Sequence, residues 1–307
     1  MNVREWALPV YTILTQTATG TLFFLWLFRY WVLTKIERKE MEKIISIPLL
    51  IILITAIFGM VGAHFHLSKP YLSFLAVSNF SHSWLSREIV FTVFFFLCLL
   101  TLFLLQQFSP LAHHKIEAFA ILAILFGFIT VYCMGRIYQL PTQVAWNSPW
   151  TIPYYFITTF LLGVSALPAI LLMDIYFLDV TQPGTLHDQE LLVRKAFQIL
   201  ALFAIGVAIF IVVLNVAQIN DLRTQHEAAA QASLSLLFSL YKPLLIFRFI
   251  CLIVGVIVLS RTAYIILRTH PPVREIMGST FFASLLIMMS EILERFLFYA
   301  THVRIGI

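Results

Sequence analysis

The sequence contains few charged residues. Only 11% of its 307 residues are charged, whereas a soluble domain carries about 25%. Hydrophobic residues make up 61% of the chain, and the mean hydropathy is +0.93. This composition excludes an ordinary soluble enzyme and indicates an integral membrane protein. The net charge of +5 does not indicate nucleic-acid binding, because the basic residues stand in short loops between apolar runs, where lipid headgroups are their ordinary partners.

Cysteine is also scarce. The three cysteines, Cys98, Cys133 and Cys251, each lie inside an apolar run and form no CxxC pair. We therefore expect neither a disulfide framework nor an iron–sulfur cluster or other metal bound by this protein. No histidine stands near the middle of an apolar run, so a haem held between helices is not expected either. The enzyme fingerprints GxSxG, HExxH, GxGxxG and the Walker phosphate loop are absent.

Long apolar runs dominate the sequence. A helix needs about 20 residues to cross a bilayer. We count eight such runs, near 8–33, 44–66, 88–108, 116–138, 153–178, 196–219, 243–268 and 276–299. Strand-like alternation is absent, so we predict an all-α integral membrane bundle of about eight helices, forming one membrane domain over 1–307. The first residues, "MNVREWALPVY", do not resemble a signal peptide, and we expect the first span to be retained.

The lysines and arginines divide almost evenly between the two faces of the predicted bundle. The densest cluster, "TKIERKEMEK", follows the first span. The positive-inside rule therefore predicts that both termini lie outside the cytoplasm. Four charged residues recur near the cytoplasmic ends of the spans, where we expect long side chains to reach the membrane surface. They are Arg29, Asp174, Asp179 and Arg261.

Titratable residues meet where the second span ends and the third begins. The second ends "GMVGAHFH", which places Gly59, Gly62 and His66 on one helical face, and the third opens "SREIVF", with Ser86 as the expected N-cap and Glu88 in the first turn. A His and a Glu at facing helix ends can exchange protons with a ligand between them. The residues leave structural alternatives open. His66 would be hydrogen-bonded to a loop carbonyl, and Glu88 would be present only because the helix dipole favours a negative charge in the first turn.

Further polar residues lie near the outer ends of other spans. In the last span Glu291 and Arg295 are four residues apart, which favours either an ion pair within the helix or a polar cavity, because a charge at that depth must face the bundle. A stripe in the first span predicts interhelical hydrogen bonds or part of the same cavity. The stripe is Thr12, Thr15, Gln16 and Thr19. Other polar residues near these ends are Arg136, Tyr138, Gln218, Asn220 and Arg248.

These residues stand in segments whose order and spacing resemble a known family. The segments are "EWALPVYTILTQTATG", "HLSKP" followed by "LSREI", "MGRIYQLPTQVAWNSPWTIP", "FRFI" and "EILERFLFYATH". The sequence resembles the membrane anchor subunit of dimethyl sulfoxide reductase-type molybdoenzymes. The resemblance covers nearly the whole length and is weaker in the fifth and sixth spans.

The resemblance implies a subunit of an anaerobic respiratory complex in the bacterial inner membrane. Such an anchor holds an iron–sulfur subunit and a molybdopterin catalytic subunit, oxidises menaquinol as an exchangeable substrate, passes the electrons to the iron–sulfur subunit and binds no haem. The family's quinol-site histidine precedes a Leu-x-x-Pro turn, which here is His66, and its acidic partner opens the next helix, which here is Glu88. Ser68 and Lys69 stand where the family commonly has Gly-Ser.

We therefore expect His66 and Glu88 to accept the two protons of the quinol. Other residues are expected to bind the headgroup or to adjust the proton affinities of the first two. These are Gln16, Arg136, Tyr138, Arg248, Glu291 and Arg295. The iron–sulfur partner is expected on the outer face, where Lys69, Arg87 and Arg223 are candidate contacts. Two other interpretations are a secondary transporter, which the lack of an inverted repeat disfavours, and a structural anchor without a quinol site.

Overall fold

The computed structural model describes residues 3–33, 38–66, 75, 78–181, 187–269 and 271–303. Within these ranges the protein forms nine helices and no strand. They are α1 Val3–Leu33, α2 Arg38–His66, α3 Trp84–Phe108, α4 His113–Tyr138, α5 Thr151–Thr181, α6 His187–Thr224, α7 Ala228–Phe238, α8 Lys242–Thr269 and α9 Val273–Ala300. Eight of the helices are long and apolar enough to cross a membrane, and α7 is a short apolar helix. The predicted all-α membrane bundle is confirmed.

Several helices extend beyond the predicted spans, including α1 and α2, which begin five and six residues earlier than predicted. α3 begins at Trp84, because the hydroxyl of Ser83 accepts a hydrogen bond from the backbone N–H of Ser86 at 3.3 Å and so caps the helix. The predicted N-cap at Ser86 is therefore wrong, and Glu88 lies in the second turn. α6 runs for 38 residues, well beyond 196–219, because polar residues extend the helix past the bilayer at both ends.

Helix α5 lies at the centre of the bundle, packed against α1, α4, α6 and α9. α1 and α5 approach so closely that a Cβ on Gly20 would overlap the carbonyl oxygen of Thr159. α2 packs on α1, and α3 with α4 forms one flank, whereas α6 with α8 lies on the other side of α5. We call the end of the bundle with the start of α1 and the end of α9 the termini end, where the rings of Trp6 and Phe296 are 5.7 Å apart. The opposite end is the loop end.

Charged residues near the loop end are buried more often than expected. Arg29 is 1% exposed and pairs with Glu117, which also accepts a hydrogen bond from the indole of Trp26 at 2.9 Å. Asp174 is fully buried. The expectation that these two side chains reach the membrane surface is therefore wrong. For Arg29 the reason is that α4 supplies a carboxylate inside the bundle. Arg261 is exposed, and the side chain of Asp179 lies outside the described residues.

Candidate functional site

The junction between α2 and α3 places the expected quinol-binding pair at the termini end. Gly59 and Gly62 of α2 face α1, since a Cβ on Gly62 would lie 3.6 Å from the backbone nitrogen of Tyr11. Position 66 follows on the same helical face, but the side chain of His66 lies outside the described residues. Glu88 of α3 is only 5% exposed. Because Glu88 is in the second turn, stabilisation of the helix start no longer explains its presence.

Among the described residues, the Glu88 carboxyl has a hydroxyl neighbour and no cation partner. The hydroxyl of Tyr11 on α1 interacts with it and lies 2.8 Å from Oγ1 of Thr92. Thr92 donates its only proton to the backbone carbonyl of Glu88 at 2.7 Å, so Tyr11 is the donor to Thr92. Glu88 forms no ion pair with any described residue. A buried carboxyl without a compensating cation is a candidate proton acceptor for a bound ligand.

Two arginines lie near the start of α3 but are bonded elsewhere. Arg87 donates to two carbonyls of the preceding loop at 3.0 and 2.7 Å, and its guanidinium lies 4.2 Å from the ring centre of Trp84. Arg136 of α4 lies 5.0 Å from the same ring and donates to Oε1 of Gln139 at 2.5 Å. The Nε of Arg136 has no hydrogen-bond partner in the described part of the protein. The Nε–H of Arg136 is therefore an available hydrogen-bond donor beside the α2–α3 junction.

Gln16 and Arg295 form a second polar group, in the interior. The amide of Gln16 donates to the carbonyl of Tyr155 at 2.7 Å and to Oγ1 of Thr159 at 3.2 Å. Its oxygen accepts a hydrogen bond from Arg295 at 2.9 Å, and Arg295 lies 3.9 Å from the ring centre of Tyr155. Gln16 and Arg295 are almost completely buried. These bonds tie α1, α5 and α9 together, and a ligand reaches them only by breaking them.

Glu291 belongs to the same interior region but does not pair with Arg295. Its carboxylate accepts a hydrogen bond from Thr158 of α5 at 2.8 Å. The described part of the protein shows no ion pair between Glu291 and Arg295, because Arg295 turns towards Gln16. Of the two alternatives from the sequence, the ion pair within α9 is therefore not formed. In the polar stripe of α1, only Gln16 bonds to another helix, whereas Thr12 donates to the Pro9 carbonyl of its own helix.

Arg248 forms a third polar group, away from Glu88. It is fully buried on α8 and pairs with Glu294 of α9 at 2.6 Å. It also donates to Oδ1 of Asn215 at 3.0 Å and to the hydroxyl of Tyr154. A small cavity of about 60 Å³ adjoins this group. α8 packs on α6 and α9, whereas α3 packs on α2 and α4, so the structure does not bring Arg248 and Glu88 into one pocket.

Tyr138 lies between the Glu88 and Arg295 groups. Its hydroxyl is 2.7 Å from that of Tyr299, and both Glu88 and Arg295 are close enough to act on it electrostatically. The loop that follows Tyr138 is fastened to α9, because the indole of Trp146 donates to the carbonyl of Phe298 at 2.7 Å. The loop thus closes the termini end over the polar interior.

Comparisons with known proteins identify the family. The family model of the DMSO reductase anchor subunit (DmsC) matches residues 1–301, which include all nine described helices. The protein belongs to the DMSO reductase anchor subunit family. It is 25% identical over 308 residues to the C subunit of the anaerobic dimethyl sulfoxide reductase of Haemophilus influenzae, and the match covers 100% of this protein and 98% of the relative. It is also 25% identical over 304 residues to the C subunit of the Escherichia coli enzyme, covering 99% and 96%.

A third relative is YnfH, a subunit of an anaerobic dimethyl sulfoxide reductase from Escherichia coli. It is 24% identical over 303 residues, which cover 99% of this protein and 96% of the relative. The resemblance inferred from the sequence segments is therefore confirmed at the level of the family.

Two residues of this anchor subunit were not singled out by sequence reasoning. Tyr11 precedes Thr15 by four residues and so continues the polar stripe of α1, a signal that could have identified it. Glu294 stands next to Arg295, but its partner Arg248 lies on another helix, and no spacing rule predicts that pair. Among the described residues no group of three or more His, Cys, Asp or Glu side chains could hold a metal ion. The expectation that the anchor subunit binds no haem stays a prediction.

Proposed function

We propose that this anchor subunit oxidises menaquinol, with the headgroup bound at the α2–α3 junction between Glu88 and His66. The observation that carries the proposal is the Glu88 carboxyl, which is buried, does not cap its helix and has no cation partner among the described residues. An ionisable residue inside a membrane domain costs stability, which makes an uncompensated one a functional candidate. The hydroxyl of Tyr11 and the spare Nε–H donor of Arg136 lie near the same place.

The proposed chemistry is proton acceptance coupled to electron transfer. Oxidation of a quinol to a quinone releases two protons and two electrons. Glu88 accepts one proton at its carboxylate, and His66 accepts the other at a ring nitrogen. The two electrons leave to the iron–sulfur subunit of the complex, which passes them to the molybdopterin catalytic subunit. Tyr11 positions the Glu88 carboxyl, since its hydroxyl is fixed by Thr92 at 2.8 Å.

The proposed orientation places the termini end outside the cytoplasm and the iron–sulfur subunit against it. Arg223 is exposed at this end and stacks on Phe238 at 5.7 Å, so it is available as a contact. Lys69 lies outside the described residues. Crosslinks from the iron–sulfur subunit to the segment "TKIERKEMEK" would contradict this docking side.

A purely structural anchor and a secondary transporter are the competing functions. A transporter needs broken helices around a site at mid-membrane. In the described ranges each of the eight spanning helices runs as one element, and the contact of Gly20 with Gly163 closes the centre of the bundle. The structure therefore supports a site at the termini end over one at mid-membrane. Substitutions at Glu88 and His66 distinguish a quinol site from a structural anchor.

The test uses the assembled complex with Glu88→Gln, His66→Ala and Tyr11→Phe. We expect Glu88→Gln to lower quinol-driven turnover by roughly 10²- to 10⁴-fold, the usual contribution of a proton acceptor. Turnover driven by an artificial donor to the catalytic subunit should stay unchanged, which shows that the complex is assembled. Glu275→Gln, an exposed glutamate at the loop end, is the matched control. Unchanged quinol-driven turnover in both Glu88→Gln and His66→Ala would remove the site.

A further inference from the structure

A groove between α6 and α8, in the loop half of the bundle, is not used by the proposed quinol site. Its volume is about 300 Å³, and it is lined by Gln198, Ala201, Leu202, Ile205, Ser260, Ala263, Tyr264 and Leu267. All of these lining residues belong to α6 and α8, so no other described helix covers the groove. In a membrane this groove opens to lipid.

Two polar groups in the groove have no hydrogen-bond partner in the described part of the protein. Neither the amide of Gln198 nor the hydroxyl of Tyr264 forms a hydrogen bond with a described residue. The side chain of Tyr264 is 58% exposed. Polar groups at membrane depth have little water to bond, so an unpartnered amide favours a ligand that brings polar atoms into the groove.

Two cations stand at the loop end of the groove. Lys195 lies on the same helical stripe as Gln198 and Leu202, about 4.5 Å from Gln198 along the axis of α6. Arg268 lies one turn beyond Tyr264, with its guanidinium 5.4 Å from the ring centre. Both side chains are exposed. Neither forms an ion pair with a described residue, and both can bind an anion at the membrane surface.

The mouth of the groove is held in a fixed position. Arg194, next to Lys195, is buried and binds both Glu190 of α6 and the carbonyl of Pro271. This contact ties α6 to the connection between α8 and α9. Glu190 is also occupied by Arg194 and does not neutralise Lys195. The two cations therefore stand about one helical turn from lining residues, Lys195 near Gln198 and Arg268 near Tyr264, on two helices whose ends are tied together.

We propose that this groove binds one anionic phospholipid. The phosphate lies between Lys195 and Arg268, the glycerol and ester oxygens bond to Gln198 and Tyr264, and an acyl chain runs along the apolar floor towards Ile205. The order of cation, neutral polar group and apolar wall along α6 and α8 repeats the order of phosphate, ester and hydrocarbon in a lipid. A quinol tail would use the apolar wall but neither cation. The proposal does not depend on the quinol site.

The experiment compares the full-length protein with Lys195→Gln/Arg268→Gln in a mild detergent. Lipids that remain after size-exclusion chromatography are measured by mass spectrometry, and unfolding is followed while phosphatidylglycerol or phosphatidylethanolamine is added to the micelles. We expect about one anionic lipid per wild-type molecule. Since a Lys or Arg near a membrane surface contributes about fivefold in lipid affinity, the double variant should need roughly 25-fold more phosphatidylglycerol for the same stabilisation.

Two further variants separate the cations from the groove. Ala263→Phe fills the groove but leaves both cations, and it should also displace the lipid. Lys115→Gln removes an exposed cation of α4 at the same end, away from the groove, and should bind lipid like the wild type. Equal lipid retention in the double variant and the wild type would overturn the proposal. So would equal stabilisation by phosphatidylethanolamine, or a bound quinone that Ala263→Phe displaces.

Discussion

Replacing Glu294 with glutamine distinguishes a structural role of Arg248 from a role in ligand binding. Arg248 is fully buried, and its pair with Glu294 at 2.6 Å supplies the opposite charge. Removing one partner of a buried pair costs about 3–5 kcal/mol, because the other charge is left uncompensated. The bonds from Arg248 to Asn215 and Tyr154 remain in Glu294→Gln, so we expect a loss of about 3 kcal/mol, at the lower end of that range. Arg248→Met combined with Glu294→Leu should cost less than either single change.

Unfolding of the full-length protein in detergent micelles measures these differences. For a protein of this size 1 kcal/mol corresponds to roughly 2 °C in Tm, so Glu294→Gln should lower Tm by about 6 °C. Glu275→Gln is the matched control, because Glu275 is an exposed glutamate on the same helix. Surface changes of this kind usually stay within about 0.5 kcal/mol.

Turnover of the assembled complex supplies the result that would refute the structural role. If Arg248 only ties helices together, the double variant should oxidise quinol at nearly the wild-type rate per folded complex. A large loss of quinol-driven turnover in the double variant, with Tm close to that of the wild type, would instead place Arg248 in the ligand site. The same result would show that the site extends from the α2–α3 junction to α8.

Three further predictions concern contacts that hold the helices together, and all are measured by Tm in detergent. Gly20→Ala should cost about 3 kcal/mol or more, because its Cβ would overlap a backbone oxygen of α5, whereas Gly206→Ala, with no atom within 4 Å, should gain about 0.5–1 kcal/mol. Equal effects would contradict the close crossing of α1 and α5. Gln16→Leu should cost about 2–3 kcal/mol, since it removes two donors and the acceptor of Arg295, and Gln107→Leu, at an exposed position of α3, should cost little. Glu117→Gln should cost about 1–2 kcal/mol, less than a fully buried pair, because this side chain is 26% exposed.

The bundle could be predicted from the sequence because a bilayer leaves few alternatives. A run of about 20 apolar residues must satisfy its backbone hydrogen bonds internally, so it forms a helix whatever its neighbours are. The helix ends are harder to predict. The residues before Glu88 are polar and aromatic, so hydropathy places the first turn of α3 in a loop and does not reveal the cap at Ser83. α7 has only 11 residues, too few to cross the bilayer. Hydropathy does not show whether an apolar run of that length forms a helix.

The contacts of the polar side chains are less predictable than their positions. Sequence spacing relates residues on one helix, so it favours the pair of Glu291 with Arg295. Inside a bundle a neighbouring helix can offer a better partner, and here Gln16 of α1 takes Arg295 and Thr158 of α5 takes Glu291. Such contacts depend on how helices are rotated against each other. A single sequence does not record that rotation.

The buried carboxyls on the two sides of the termini end differ in their partners. Glu294 has a cation, and Glu291 has the hydroxyl of Thr158 with Arg248 and Arg295 close enough to act on it. Both lie where α5, α8 and α9 are fastened together. Glu88 lies where α3 meets α1. Among the described residues, only the hydroxyl of Tyr11 interacts with its carboxyl. A ligand can therefore exchange protons at Glu88 without breaking a contact that holds the bundle, which is the condition for a substrate that must enter and leave in every turnover.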